Sequence, residues 1–391
     1  MNPLVERPVV ASYCATFLKP EMLHIYRQIT ALERVRPIVI ARKREETERF
    51  PFDDVIVTGK PRTHFLRRIW FKQLRKQPWQ ISRRETNSLV RILETAEARL
   101  LHIYFGHIAV HLLPLMRVWP RPVVVSFHGA DVMVDLEKPA YRRATREMVG
   151  LSRLVLVRSD SLGRALADIG CAPDKLRLQR TGIPVEDIPF QPRDWPGDGA
   201  WKFVQACRLI EKKGLQVSLR AFAKFAERHP NSTFTIAGEG PLHEQLRAHA
   251  RELGVDGRVD FAGFVSQNEL RQLFYRSHIF LHPSETAADG NQEGIPNSML
   301  EAMASGLPVF ATAHGGIPEA ITHQESGILV AEGDAEELAR ELVDMVARPD
   351  ELARIARNGA SVVADKFERR IQARQLEEFY FEAMTSAESR S

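Results

Sequence analysis

Cysteine is scarce in this 391-residue sequence, which holds only Cys14, Cys171 and Cys207. Three thiols far apart, with no C-x-x-C pair, exclude a disulfide framework and a cysteine-based zinc site, and they fit a reducing cytoplasm. No uninterrupted apolar run approaches the ~20 residues that a membrane-spanning helix needs. The opening "MNPLVERPVVASYCATF" has no basic stretch followed by a long apolar one, so no secretory leader is expected. A G-x-G-x-x-G turn followed about twenty positions later by an acidic residue is missing, which argues against a dinucleotide-dependent oxidoreductase. Asp131 and Asp135 stand too far apart for an Asp-x-Asp metal site, so neither a metal nor another cofactor is expected. Internal repeats are absent, and the polar tail "TSAESRS" is the one biased tract.

What is present describes a globular chain of two domains: 44% of residues are apolar and 27% charged. The net charge of +4 conceals an asymmetry, because residues 1–200 carry 33 basic and 22 acidic side chains and the remainder 21 and 28. Between Asp54 and Glu85 there is no acid at all. Lys60, Arg62, Arg67, Arg68, Lys72, Arg75, Lys76, Arg83 and Arg84 accumulate there among Phe65, Trp70, Phe71 and Trp79. Wound as a helix over 64–77, this stretch gathers Phe65, Leu66, Ile69, Trp70 and Leu74 on one half of the wheel and most of the bases on the other. Segment 60–84 therefore suits an anionic membrane surface, or else is a solvated amphipathic helix. Nucleic acid is not expected as a partner, since no binding module is present and the other half is acidic.

Short apolar runs alternate with helical patterns along the chain. "RPVVVSF", "RLVLVRS", "KFVQAC", "TFTIAG", "RVDFAGF", "HIFLHPS", "LPVFAT" and "GILVAE" read as buried strands, with helices such as "GLQVSLRAFAKFAERH" between most of them. That alternation predicts an α/β fold of two doubly wound, Rossmann-like domains. The Pro- and Gly-rich "PFQPRDWPGDGA" reads as the linker. The expected layout is a first domain over 1–190, a linker over 191–200 and a second domain over 201–369. A C-terminal helix at about 370–386 is expected to pack back onto the first.

Ligands of such sheets sit beyond the carboxyl ends of the strands. Candidate residues are therefore those just after strands: His128 and Asp131 after "VVVSF", "RLIEKKG" after "KFVQAC", Gly240 after "TFTIAG", and the loop to Glu293 after "HIFLHPS". Glu301 follows Glu293 by eight positions, on a helix that Gly306 ends.

These stretches resemble the signatures of the retaining glycosyltransferases of family 4, which share the GT-B architecture of two Rossmann-like domains facing across a cleft. "EGIPNSMLEAMASGLPV" is similar to the family's E-x7-E signature and "RLIEKKG" to its Arg-x4-Lys-Gly segment. "AGEGPL" resembles its glycine turn, "DFAGFV" its base-binding strand end and "HGADV" its amino-terminal-domain histidine. "SFHGADV" together with "SETAADGNQEGIPN" is similar to the exopolysaccharide-building branch typified by colanic acid glycosyltransferases.

The resemblance implies transfer of a hexosyl unit from a UDP- or GDP-linked sugar to a saccharide or lipid-linked acceptor, with retention and without metal. The enzyme would be cytoplasmic or peripheral on the inner face of the membrane. Arg208 and Lys213 would aim their cations at the departing diphosphate, with help from the helix start at Asn297 and Ser298. By resemblance Glu293 binds sugar hydroxyls, Glu301 the ribose, His128 the sugar from the opposite domain, and the backbone at Phe264 and Val265 the base; Gly240, Gly294 and Ile295 complete the donor site. "SYCATFLKPE" resembles the acceptor-side Ser-x-Thr-Phe segment, placing Thr16 at a helix start, with His107 and Asp131 also on that side. The sequence departs from the family's Glu-Gly-Phe-Gly at Ile295-Pro296, where proline removes an N–H donor, and it lacks the glycine pair after the first strand. His102, His107 and His111 have metal-like spacing but no accompanying carboxylate or cysteine, and packing is the expected role. A nucleotide-sugar epimerase would need extra carboxylates around the sugar and a phosphorylase a pyridoxal-binding lysine motif. Neither is present. A transferase acting on a small soluble acceptor stays open.

Overall fold

The computed structural model describes residues 7–19, 22–59, 64–128, 138–288 and 293–388. The chain divides into two compact units, residues 1–182 with 369–391, and residues 183–368.

In the first unit, β1 (Val9–Phe17), β2 (Arg36–Arg44), β3 (Val55–Val57), β4 (Leu100–Tyr104), β5 (Val123–Phe127), β6 (Leu154–Val157) and β7 (Leu176–Leu178) form one sheet in the order β3-β2-β1-β4-β5-β6-β7. Every pairing in it is parallel. The central strands are buried along their length, which is why they read as continuous apolar runs rather than alternating ones. One face packs into a core with Ile103, Val125 and Val155. The other closes on the C-terminal helix Arg369–Glu388, whose Leu376, Tyr380 and Ala383 meet Val10, Val124 and Leu156. The buried Glu377 on that helix accepts the backbone N–H groups of Glu33, at 2.7 Å, and Arg34, at 2.5 Å, satisfying donors just past the end of helix Leu23–Thr30.

In the second unit, β8 (Lys202–Ala206), β9 (Thr233–Ala237), β10 (Val259–Gly263), β11 (Ile279–His282), β12 (Val309–Thr312) and β13 (Ile328–Val330) are ordered β10-β9-β8-β11-β12-β13, again all parallel. Strand β10, read from sequence as buried, alternates between half-buried and exposed residues because it is the sheet edge.

Two boundaries differ from the sequence reading. The passage from the first unit to the second falls at Gly182 and Ile183, not in the Pro-rich segment. That segment packs on the second unit: Arg193 donates to the Ser277 carbonyl and the Ser305 hydroxyl, both at 3.2 Å, and Trp195 stacks on Trp201. The stretch 64–77 is not one regular helix. His64–Ile69 is α-helical and Trp70–Leu74 a π-turn, so the 100° spacing fails after Ile69. Lys60, Arg62 and Asp131 lie outside the described residues, as do the side chains of Phe65, Leu66 and Lys72.

Candidate active site

In each sheet the order reverses at one point, between β1 and β4 in the first unit and between β8 and β11 in the second. Crevices beyond the carboxyl ends of strands at such points are where ligands of doubly wound folds bind.

At the end of β8 the chain turns through Arg208 into a single 3-10 turn, Glu211–Lys213, that stops at Gly214. Gly214 has φ +60°, and a Cβ there would stand 1.7 Å from the Pro283 carbonyl oxygen, so only glycine lets this turn lie against the end of β11. Buried Gln205 fixes the turn from beneath: its amide donates to the Lys213 carbonyl at 2.9 Å and accepts from Ser218 Oγ at 2.6 Å. Lys213 is thereby aimed at Glu293, with Nζ 2.5 Å from Oε2, and Lys212 Nζ lies 3.7 Å from the same oxygen. All three side chains are largely buried. Burial pushes the Glu293 carboxyl upward, but Lys213, Lys212 and His282 outweigh it and hold the group at about 2. Burial pushes Lys212 downward, as do the neighbouring charges of Lys213 and Arg208, against the pull of Glu293. Arg208 itself is exposed.

Glu293 leads into the helix Asn297–Ser305, which has Pro296 at its N-cap and no side-chain cap. The N–H that proline lacks is therefore one position ahead of the helix. Ser298 Oγ donates to the Ala206 carbonyl at 2.6 Å, which ties the first turn of this helix to the end of β8. Glu301, one turn in, is only 3% exposed; it is no solvent-facing helix carboxylate. Gly294 and Ile295 pack beneath Gly316. Gly240 answers a packing need as well, since a Cβ there would stand 2.4 Å from the Leu209 carbonyl oxygen in the Arg208 turn. Phe264, 57% exposed, and half-buried Val265 follow the end of β10.

Further residues of this region escaped sequence reasoning. His314 Nε2 accepts the Glu293 backbone N–H at 2.9 Å, so its proton is on Nδ1, which donates to Glu332 at 2.7 Å. Glu332 also takes the Thr286 N–H at 2.8 Å and hydroxyl at 3.1 Å. One carboxylate thus braces both flanks of the loop that ends in Glu293. The following Gly315 has no room for a Cβ, which would stand 2.0 Å from the Glu293 carbonyl oxygen. The signal was legible as "AHGGIPE", a histidine and two glycines just after β12. His282 is fully buried beside the pair, both ring nitrogens without a hydrogen-bond partner; burial above all, and the Lys213 cation, hold it down at about 3.

In the first unit His128 follows β5 and is half-buried. Arg158 can only donate, so His128 Nδ1 accepts from it at 3.2 Å and from His24 Nε2 at 3.1 Å, while Nε2 donates to Ser126 Oγ at 2.9 Å. Burial and the Arg158 charge hold this imidazole well below its ordinary value, so it is neutral. Both nitrogens are engaged within the unit, and a sugar contact requires one to be released. Thr16 is not at a helix start: it lies inside β1, paired in register with Lys43 of β2, because the apolar run continues to Phe17. His107 occupies the first turn of helix Gly106–His111; its Nδ1 is buried without a partner, and burial lowers its affinity for a proton. Of the histidine trio, His102 is core, bonded to Tyr380 Oη at 2.7 Å and stacked on Tyr104, whereas His107 and His111 line a cavity. Among the described residues no three His, Cys, Asp or Glu side chains are grouped as metal ligands.

Comparison with known proteins gives the family and the fold. Residues 23–187 match the model of "Glycosyltransferase Family 4" and residues 188–362 that of "Glycosyl transferases group 1". Over 283 residues, 72% of this chain and 69% of the relative, the sequence is 32% identical to the amylovoran biosynthesis glycosyltransferase AmsK of Erwinia amylovora. Over 255 residues, 65% of this chain and 63% of the relative, it is 31% identical to WcaL of Escherichia coli (strain K12), named for colanic acid biosynthesis. The crystal structure of Anabaena Alr3699/HepE in complex with UDP superimposes with a TM-score of 0.75, covering 96% of this chain and all of that one at 20% identity. The chain therefore has the GT-B fold and belongs to glycosyltransferase family 4, in the branch that holds AmsK and WcaL.

Proposed function

We propose that the protein moves a hexosyl unit from a UDP- or GDP-linked sugar to a saccharide or lipid-linked acceptor in exopolysaccharide or glycolipid synthesis, with retention of configuration and without a metal ion. The observation that carries this reading is the Lys213–Glu293 pair at the end of β8, beside exposed Arg208 and an uncapped helix start. A departing nucleoside diphosphate needs positive charge already in place. Arg208 and Lys213 supply it, together with the N–H groups at Asn297 and Ser298. Held ionised by its lysines, Glu293 accepts two sugar hydroxyls, and Glu301 takes the ribose. The base lies against Phe264 and Val265. His128, neutral and rich in hydrogen bonds, is suited to a sugar hydroxyl rather than to a charge. The exopolysaccharide setting rests on AmsK and WcaL, and the nucleotide on HepE, whose structure holds UDP.

Transfer to water gives a test that needs no acceptor. NMR of freshly released sugar, recorded before mutarotation and with EDTA present, is expected to show the anomeric proton of the donor's own configuration. An inverted product overturns the stereochemistry, and activity that returns only with Mg²⁺ or Mn²⁺ overturns the metal independence.

Peripheral membrane docking is favoured by one feature of the first unit: Ile69, Trp70 and Leu74 stand 37%, 39% and 76% exposed in the basic stretch. No helix among the described residues is long and apolar enough to cross a bilayer. Cosedimentation with anionic but not neutral liposomes, weakened by salt, is the expected result. Indifference to anionic liposomes at low salt contradicts it.

A further inference from the structure

Lys213 and Lys212 both reach one oxygen of Glu293, at 2.5 and 3.7 Å. Neighbours in a 3-10 turn point about 120° apart, so adjacent lysines ordinarily diverge. Here each is anchored by a different element. The Lys213 carbonyl accepts from Gln205 at 2.9 Å, beneath the turn, and the Lys212 carbonyl accepts the Glu285 N–H at 3.1 Å, from the loop after β11. With the backbone held from two sides, both ammonium groups turn toward the same carboxylate, and the side chains are only 12% and 14% exposed. Placing a second cation there is costly: burial pushes Lys212 down, and the charges of Lys213 and Arg208 add to it against the pull of Glu293. Lys213 alone would satisfy that oxygen, so the pair as it stands does not need the second lysine.

The transfer itself gives Lys213 two anions to serve. It holds Glu293 in this structure, and in the transferase reading it also grips the departing diphosphate. One ammonium shared between a carboxylate and a diphosphate holds each less firmly than it holds one alone. As negative charge gathers on the leaving group, Lys213 is drawn toward it, while Glu293 must stay ionised to accept sugar hydroxyls. The other groups that face Glu293 cannot replace the lost charge. His282 is neutral above about 3, and the Cys207 thiol is pushed up to about 12. The His314 ring accepts the Glu293 N–H and gives its proton to Glu332. Lys212 carries a charge and is already within reach. We propose that Lys212 is a positioning residue of the donor site: it takes over Glu293 when Lys213 turns to the diphosphate, so that the carboxylate keeps its charge and its place through the transfer. This rests on the donor reading above, and it gives a role to a residue that the Arg-x4-Lys-Gly signature leaves unspecified.

NMR titration of the glutamate side-chain carboxyls, with Glu293→Gln identifying the signal, needs no donor. Lys213→Met stands in for a lysine turned away. In it Glu293 is expected to titrate no higher than the ordinary ~4.3 of a glutamate, whereas in Lys212→Met/Lys213→Met, buried without either cation, it should titrate above that value. Equal titration in the two variants overturns the proposal. Donor hydrolysis supplies the second readout. Lys212→Met is expected to bind the nucleoside diphosphate within about twofold of wild type and to lose about tenfold in kcat, the worth of one charge-assisted contact. The acid side of its kcat profile should move to higher pH, because removing a cation raises the Glu293 carboxyl and activity needs that group ionised. Lys212→Arg should recover most of the rate. Unchanged kcat and an unmoved acid limb in Lys212→Met overturn the proposal, as does a parallel loss of nucleotide affinity, which would make Lys212 a diphosphate ligand. If the wild type binds no nucleotide, the donor reading falls, and the carboxyl titration still decides whether Lys212 can hold Glu293 without Lys213.

Discussion

The Lys213–Glu293 contact joins residues eighty positions apart whose chemistry is visible only as a pair. Sequence spacing pointed to both, because a base and an acid each followed a strand end, but it gave no reason for them to touch. Gln205, buried under the turn, and Gly214, which no other residue can replace there, are what aim the lysine. The pairing has a pH signature whose sign is fixed. Glu293 is held at about 2, below the ~4.3 of an unfolded chain, so the stability it contributes is fully present above that value and is lost as pH falls from there toward 2. Lys213→Met is expected to lower stability at pH 7 by about 1–3 kcal/mol, Lys212 remaining as a partial partner, and to flatten the loss between pH 5 and pH 3. Urea unfolding at a series of pH values reads both effects, and an unchanged slope in the variant would show that the pair is not what holds the carboxyl down.

The helix Asn297–Ser305 and the strands around it were legible because parallel strands buried on both faces leave unbroken apolar runs and Gly306 marks the helix end. Loops were less so. Thr16 was misplaced because the end of β1 carries no breaker: the run "VVASYCATF" stays apolar enough to continue pairing through Phe17. The brace from Glu332 through His314 to Glu293 was invisible for another reason, since its members come from three separate segments and only tertiary structure joins them. Glu332 accepts through both carboxylate oxygens, one taking Thr286 and the other His314, so alanine removes both contacts and glutamine, with a single amide oxygen, can keep only one. Glu332→Ala should lower donor turnover by about tenfold, the worth of one to two such bonds, with Glu332→Gln losing part of that. Donor hydrolysis rates read this directly; unchanged turnover in the alanine variant would contradict the brace.

At the scale of the molecule, the count of two doubly wound units followed from composition and alternation, whereas their boundary did not. A Pro- and Gly-rich stretch reads as a linker on local grounds, yet here Arg193 and Trp195 fasten it to the second unit, and the crossing lies at Gly182, where a Cβ would press to 2.9 Å on Arg369 Cα. That the C-terminal helix returns to the first unit depends on Tyr380 and Glu377 finding partners hundreds of positions earlier. The central claim is that the second unit grips a nucleoside diphosphate with Arg208 and Lys213 and spends that grip on the leaving group. The direct measurement is a calorimetric titration of UDP and GDP into wild type and into Arg208→Ala and Lys213→Ala, paired with donor hydrolysis rates. The account predicts that one of the two nucleotides binds the wild type, that each variant binds it more weakly, and that turnover falls by about 10² to 10³. Near-normal binding and turnover in either variant would contradict it.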